Sequence, residues 1–190
     1  DPYNDFLSEG GKLHGRAQPV ADSVGTLTNL KTVVGAARKA GIQVFYVPHH
    51  RAEPDELARW KHPSPYQQGA SRAQVFALGT WGGEWHPDFQ PKAGDVIVKE
   101  HWGGSGFANT DLDYLLKQHG IDKVVVVGML ANTCIESTAR FAAELGYHVT
   151  LVRDATAAFS TEAMHAAHEI NGPTYAHAII TTVELLAAFG

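Results

Sequence analysis

The amino-acid sequence predicts a three-layer α/β/α domain with a central, mostly parallel sheet. Valine-rich segments without polar alternation, such as KVVVVGM at residues 123–129, are typical of strands that are buried on both faces. Such segments alternate with segments of helical periodicity along the whole chain, which implies right-handed crossovers and a parallel sheet. Five strands are visible in this pattern.

The first long helix is predicted over residues 20–40, where apolar residues recur three and four positions apart and Gly41 ends the pattern. A continuous apolar run at residues 42–47 predicts the first visible strand. Residues 49–93 are rich in Pro, Gly, His and Trp and predict a long ordered excursion, with a short helical patch near residues 71–78. Because long loops in compact domains are often functional, we expect this excursion to shape a site.

The later elements alternate regularly. Strands are predicted at residues 95–100, 123–129, 147–152 and 178–182, and helices at residues 111–120, 132–146, 161–170 and 183–189. Gly120 and Gly146 close two of these helices. The sequence shows no internal repeat, low-complexity tract or linker, so residues 1–190 are predicted to form a single domain.

The composition excludes several classes of protein. Of 190 residues, 44% are hydrophobic and 18% are charged, which is unlike a disordered chain. The net charge of −5 provides no basic surface for nucleic acid or an anionic membrane. No apolar run approaches the roughly 18 residues of a membrane span. The single cysteine, Cys134, excludes an intrachain disulfide.

Reactive side chains follow three of the predicted segments, at the edge of the sheet where ligands of open parallel sheets bind. Cys134 comes after the most apolar strand and near the start of a helix, whose positive end favours a nucleophilic thiolate. Lys99 closes the strand DVIVKE and would stabilise that thiolate. Asp1 and Asp5 flank the opening turn, where a buried carboxylate would take the thiol proton.

Each of these residues also has a structural interpretation. A free cysteine is often buried and inert. A lysine at a sheet edge is commonly solvated, and an aspartate in a turn commonly caps it. The residues alone leave both interpretations open.

The whole chain resembles the isochorismatase-like cysteine hydrolases, which include nicotinamidases and N-carbamoylsarcosine amidases. The resemblance rests on DPYNDF at the start, on the lysine of VIVKEHWGGSGF, on TDLDYLLKQHGI and on VVVVGMLANTCIESTARFAAELGYHVTLVRDA. The last segment is the most specific, because a glycine six residues before the cysteine is followed by a helix and by a strand that ends in Asp-Ala. The resemblance implies a Rossmann-like fold of about six strands, the first of them upstream of Asp1, and a structural role for Asp5.

The resemblance also implies a catalytic triad of Asp1, Lys99 and Cys134. Asp1 would take the thiol proton, Lys99 would hold the thiolate, and the sulfur would attack an amide or ureide carbonyl. A cis peptide bond is implied between Met129 and Leu130. The N–H groups of Leu130 and Cys134 would then form an oxyanion hole.

Aromatic and histidine side chains near these positions each have two interpretations. Phe6, Trp102 and Phe107 either wall an apolar substrate pocket or belong to the ordinary core. Four histidines could gather around a metal ion: His49, His50, His86 and His101. However, Pro48 stands where the metal-binding nicotinamidases carry an aspartate, so no metal is predicted.

The sequence therefore predicts a cysteine-dependent amidohydrolase that cleaves a C–N bond of a small amide or of a carbamoyl or ureido compound through a thioester intermediate. It predicts no cofactor, no nucleic-acid or membrane partner, a cytoplasmic location and a homo-oligomer. Two alternatives remain open. One is a nicotinamidase with a divergent metal site, and the other is a non-catalytic binding or assembly module on the same fold.

Overall fold

The computed structural model describes residues 1–189, in which five strands form two parallel sheets. The strands are β1 (Phe45–Tyr46), β2 (Val96–Ile97), β3 (Lys123–Met129), β4 (His148–Ala157) and β5 (Ala178–Ile180). One sheet pairs β1 with β2, and the other has the order β3-β4-β5. Every pairing between these strands is parallel, which confirms the predicted mostly parallel α/β architecture.

Helices precede, connect and follow the strands. They are α1 (Asn4–Leu7), α2 (His14–Val24), α3 (Thr26–Lys39), α4 (Pro65–Ala73), α5 (Leu112–Gln118), α6 (Glu136–Glu144), α7 (Thr161–His165) and α8 (Thr182–Ala188). None of the helices within residues 1–189 combines the length and the apolarity that a membrane crossing requires.

The helices cover both faces of the larger sheet. On one face, Leu116 of α5 packs in the same core cluster as Leu151 of β4. On the other face, Leu30 of α3 packs in a cluster with Val152 of β4. Because neighbouring residues of a strand point to opposite faces, β4 is buried on both sides, and its apolar run has no polar alternation.

Some element boundaries differ from the sequence prediction. The helix predicted over residues 20–40 is two helices, because Gly25 adopts a left-handed φ of 71° that ends α2 and turns the chain into α3. The helical patch predicted near residues 71–78 is α4, which begins earlier because a capping box formed by Ser64 and Gln67 starts it. β1 and β2 are shorter than predicted.

A cleft separates the two sheets. Within the described residues, β1 has a strand partner only at β2 and β3 only at β4, so one edge of each strand faces the cleft. The cleft has a volume of about 600 Å³ and is lined by residues 44–47 of one sheet and residues 123–129 of the other. Asp1 and Cys134 line it at the carboxyl end of β3. Parallel strands are normally paired and covered, so the free edges of β1 and β3 are able to pair with a further strand.

We propose that an extended apolar segment joined to Asp1 occupies this cleft as a parallel strand. It would pair with both free edges and bury several apolar side chains, each of which contributes about 1.5–3 kcal/mol. A chain with a valine- and isoleucine-rich extension of about five residues before Asp1 should therefore unfold at a higher urea concentration than the chain that starts at Asp1. The control is an extension of equal length made of glycine and serine. Equal unfolding midpoints for the two extensions would show that the cleft does not hold a strand.

Candidate active site

Cys134 lies directly beyond the carboxyl end of β3. The strand ends at Met129, and a π-helical turn over Ala131–Ile135 leads into α6. Cys134 belongs to this turn and is 6% exposed. The N–H groups of Thr133 and Ile135 both donate to the Leu130 carbonyl oxygen at 3.1 Å, which fixes the turn that carries the sulfur. The peptide bond between Met129 and Leu130 is cis, as the resemblance implied.

Tyr66 covers the sulfur from α4. Its hydroxyl oxygen lies 3.8 Å from Cys134 Sγ. The ring is partly exposed, but burial of the hydroxyl end raises the pKa of Tyr66 above its usual range, and the group keeps its proton. The side chain of Gln67 donates a hydrogen bond to the Trp102 carbonyl at 3.1 Å. This bond holds α4, and with it the tyrosine, beside the segment that follows β2.

Asp1 and His101 form a buried pair at the same edge of the sheet. His101 Nε2 lies 3.0 Å from Asp1 Oδ1, and each side chain is 2% exposed. His101 Nδ1 lies 2.6 Å from the Gly103 carbonyl oxygen, which only accepts hydrogen bonds, so Nδ1 carries a proton. Burial lowers the pKa of His101 to about 4, and the nearby amino group of Asp1 lowers it further. The 3.0 Å contact between Nε2 and Oδ1 is a hydrogen bond only when one of these two atoms carries a proton. The pair therefore holds one proton between Nε2 and Oδ1.

His49 is packed against His101 by the pairing of their backbones. The two residues form a parallel bridge beyond the ends of β1 and β2, and their ring centroids are 5.2 Å apart. His49 is 5% exposed, and the Tyr3 hydroxyl donates to its carbonyl oxygen at 3.1 Å. Burial lowers the pKa of His49 to about 4, with a further contribution from the neighbouring His101. The ring is therefore neutral near pH 7.

A polar cluster at the rim joins the excursion to the end of β2. His50 Nε2 lies 2.7 Å from Glu56, and His50 Nδ1 lies 3.4 Å from Glu100. Burial opposes a charge on the ring, but the hydrogen bonds to Glu100 and Glu56 raise the pKa of His50. The ring also stacks on Trp102 with centroids 3.5 Å apart. Arg51 completes the cluster through a 2.6 Å contact with Glu100.

The structure does not bring Lys99 to this site. Lys99 is exposed, its backbone N–H donates to Asp111 at 2.8 Å, and the residue does not line the cleft that Asp1, His101 and Cys134 share. The reason lies in the strand. Val98 points inward and is 2% exposed, so the next side chain points outward. His101, two residues later, is the side chain that contacts Asp1.

The three aromatic residues predicted to wall a pocket lie in different surroundings. Phe6 packs on Phe76 with ring centroids 5.0 Å apart and belongs to a core cluster. Phe107 is 8% exposed, belongs to another core cluster and also lines the cleft beside Cys134. Trp102 lies at the rim, where it also contacts Trp60 with centroids 4.9 Å apart. Of these three residues, Trp102 is the one that lies outside the buried core clusters.

Asp5 has the contacts of a structural residue. It is 2% exposed, and its carboxylate accepts hydrogen bonds from the backbone N–H groups of Lys12 at 3.0 Å and Phe76 at 2.7 Å. Gly82 leaves room for this carboxylate, because a Cβ at that position would lie 2.5 Å from Asp5 Oδ1. Asp5 thus ties the opening turn to the excursion.

The four histidines considered as metal ligands do not gather around one point. His49 and His101 are neighbours, His50 pairs with carboxylates at the rim, and His86 caps a short turn by accepting from the Asp88 N–H at 3.1 Å. Among residues 1–189, no group of three or more His, Cys, Asp or Glu side chains has a geometry that could hold a metal ion.

Sequence reasoning missed two features of the site. Tyr66 was not singled out, and His49 and His101 were grouped only as metal candidates. A sequence signal existed for the histidines, since both follow short apolar runs that end at the same edge of the sheet. No such signal marks Tyr66, because its position depends on how the excursion folds back over the sheet.

The buried histidine His49 should make stability depend on pH. Its folded-state pKa of about 4 lies below the ordinary value of 6.5, so the unfolded chain binds the proton more tightly. The stability contribution is complete above pH 6.5 and is lost as the pH falls toward 4. Between pH 7.5 and pH 5, we expect His49 to account for a loss of about 2 kcal/mol in the free energy of unfolding.

Urea denaturation at the two pH values measures this loss. The loss should be smaller in His49→Phe than in the wild type, whereas His62→Gln, at an exposed position, should leave it unchanged. The same loss in the wild type and in His49→Phe would mean that His49 titrates normally in the folded protein.

Several known proteins are similar to this chain in sequence and in fold. The isochorismatase domain matches residues 1–184. The ureidoacrylate amidohydrolase RutB of Rhizobium rhizogenes is 33% identical over 168 residues, which cover 82% of this chain and 67% of that protein. The solved N-carbamoylsarcosine amidase of Thermoplasma acidophilum superposes with a TM-score of 0.67 at 27% identity, over 96% of this chain and 92% of that chain. A cysteine hydrolase of Pseudomonas syringae pv. phaseolicola superposes with a TM-score of 0.77 at 25% identity, over 100% of this chain and 89% of that chain. This chain belongs to the isochorismatase-like hydrolase family.

Proposed function

We propose that this protein is a cysteine-dependent amidohydrolase that cleaves a C–N bond of a small carbamoyl, ureido or amide compound. One observation carries this proposal. Cys134 lies in the first turn of a helix at the carboxyl edge of the sheet, and the buried Asp1–His101 pair lies at that same edge, at the end of the cleft that the proposed strand would fill. A nucleophile and a proton acceptor are thereby held at one place, which acyl transfer requires.

The first step forms the thioester. Cys134 Sγ attacks the substrate carbonyl carbon, the C=O electrons move onto the oxygen, and the thiol proton passes to the Asp1 carboxylate. The intermediate then collapses, the C–N bond breaks, and Asp1 returns the proton to the leaving nitrogen. Ammonia or an amine departs, and the acyl group stays on the sulfur.

The second step regenerates the enzyme. Water gives a proton to Asp1 and attacks the thioester carbon. The C–S bond then breaks, and Asp1 returns the proton to the sulfur, which releases the acid and restores the thiol. His101 supports both steps by sharing its proton with Asp1 Oδ1, which leaves Oδ2 as the oxygen that exchanges protons with sulfur, nitrogen and water. We assign to His101, in place of Lys99, the role of holding and orienting the Asp1 carboxyl group through this hydrogen bond.

The negative oxygen of both intermediates needs hydrogen-bond donors. The N–H groups of Leu130 and Cys134 are our candidates, because they belong to the turn that begins the helix. Donors fixed in place before the reaction are effective, and losing one typically slows a reaction by roughly 10²–10³.

The relatives support a carbamoyl substrate. The names of two of them, ureidoacrylate amidohydrolase and N-carbamoylsarcosine amidase, each describe a compound that carries a carbamoyl nitrogen. Tyr66 places aromatic surface beside Cys134, which suits a small and partly apolar substrate. The cytoplasmic location and the homo-oligomer stay predictions.

Ammonia release tests the activity directly. The protein is assayed with N-carbamoylsarcosine, ureidoacrylate, nicotinamide and simple primary amides. Turnover of at least one carbamoyl compound is expected, and Cys134→Ala should lower it by at least about 10³-fold, because no other nucleophile replaces the thiolate. A Cys134→Ala protein that kept its turnover would falsify the mechanism.

A matched pair of variants tests the role of His101. His101→Gln should lower kcat by about 10²-fold or more, because the Asp1 carboxyl loses the partner that fixes its proton. Lys99→Ala, two residues away and exposed, should leave kcat near the wild-type value. Urea unfolding of both variants controls for folding. If Lys99→Ala lost activity and His101→Gln retained it, the assignment would be reversed.

A further inference from the structure

His49 carries a hydrogen-bonding atom that the protein leaves unused. His49 Nε2 is buried and has no hydrogen-bond partner among residues 1–189. A buried polar atom without a partner is costly, and native structures usually avoid one unless a ligand or a water completes it. The His49 ring packs against His101 and Tyr66, and the mechanism above gives Nε2 no role.

The tautomer of His49 makes this atom an acceptor. His49 Nδ1 lies 2.7 Å from the His50 carbonyl oxygen. A carbonyl oxygen only accepts, so Nδ1 carries the proton of the neutral ring, and Nε2 presents a lone pair. The missing partner must therefore be an N–H or O–H donor.

The surroundings of His49 place this acceptor close to the reacting groups. Its ring lies 5.2 Å from the His101 ring, which contacts Asp1. On another side it lies 5.7 Å from the ring of Tyr66, whose hydroxyl group contacts Cys134. His49 therefore packs against a partner of the proposed proton donor and against a partner of the proposed nucleophile. The leaving nitrogen of the substrate has to approach both the proton donor, Asp1, and the nucleophile, Cys134.

We propose that His49 Nε2 accepts a hydrogen bond from an N–H of the scissile nitrogen, and that His49 selects substrates with a terminal –NH2 group. This proposal rests on the amidohydrolase function proposed above and makes its substrate class narrower. A carbamoyl or primary amide nitrogen keeps an N–H for His49 while it receives a proton from Asp1. A nitrogen with two alkyl substituents has no N–H to donate.

The contact should act in the transition state as well as in binding. As the leaving nitrogen gains the proton from Asp1, it becomes positively charged, and its N–H groups become stronger donors. The hydrogen bond to Nε2 therefore strengthens during the reaction, and interactions of this kind raise kcat. A role in packing alone would not produce such an effect.

Two variants separate the acceptor from the ring. His49→Phe keeps an aromatic ring against Phe76 and His101 but removes Nε2. His49→Gln places an amide oxygen, which is an acceptor, near the same position. The paired substrates are N-carbamoylglycine and its analogue with two methyl groups on the terminal nitrogen.

We expect the wild type to prefer N-carbamoylglycine over the dimethyl analogue. His49→Phe should lower kcat for N-carbamoylglycine by roughly 10- to 100-fold and have little effect on the slow analogue, so the preference shrinks. His49→Gln should recover part of the loss. An equal loss with both substrates in His49→Phe, without recovery in His49→Gln, would assign His49 to packing alone and overturn the proposal.

A binding measurement distinguishes this proposal from the proposed function. Nitrogen NMR of histidine-labelled Cys134→Ser protein reads the His49 ring without turnover. Saturating N-carbamoylglycine should move the Nε2 signal toward that of a hydrogen-bonded nitrogen, and the dimethyl analogue should not. An Nε2 signal that N-carbamoylglycine leaves unmoved overturns the His49 proposal whether or not the wild type releases ammonia. A moved signal in a protein that never releases ammonia would retain the binding role and reject the hydrolase.

Discussion

The hydrogen bond between the Asp1 carboxyl group and His101 Nε2 joins two side chains that are each 2% exposed. A carboxylate and an imidazole that are removed from water are costly unless they satisfy each other. Their contact therefore sets the position of the opening turn relative to the segment after β2. The hydrogen bond from Tyr3 to the His49 carbonyl reinforces the same junction. The candidate site is the place where these constraints meet the turn that carries Cys134.

The excursion, residues 49–93, supplies the helix that covers Cys134. The strands bring reactive groups to one edge, but they leave the sulfur uncovered on one side. α4 covers it with Tyr66, and the contact of Gln67 with the Trp102 carbonyl holds the helix there. The buried Asp5 anchors the excursion again at Phe76. A polar rim around His50 ties the remaining segment to Glu100. The excursion is thus attached by several buried or half-buried polar contacts, which favours one defined arrangement over a mobile loop.

Family membership predicts the fold and the cysteine, whereas local backbone geometry decides which side chain contacts Asp1. Membership of the family predicts the fold and a cysteine in the turn after β3, and the structure has both. The proton-handling partner of Asp1 is decided by local backbone direction. A lysine that ends a strand pattern points outward in this structure, and a histidine beyond the strand points inward. An imidazole beside Asp1 has two ring nitrogens with distinct roles, and the Gly103 carbonyl determines which of them carries a proton. A lysine ammonium would not make that distinction.

The sequence by itself determined the α/β architecture, the alternation of elements and the position of Cys134 after the most apolar strand. Those features follow from local patterns, since a buried parallel strand needs an unbroken apolar run and a helix needs a 3.6-residue period. It also identified Asp5 as structural through the resemblance. It did not determine that Lys99 lies outside the site, or that His101, His49 and Tyr66 lie inside it. These positions depend on contacts between residues far apart in the chain, such as the bridge between His49 and His101 and the packing of α4 over Cys134. Only the tertiary structure decides them, because the direction of a side chain beyond a strand end follows from what its backbone pairs with and not from the pattern of neighbouring residues.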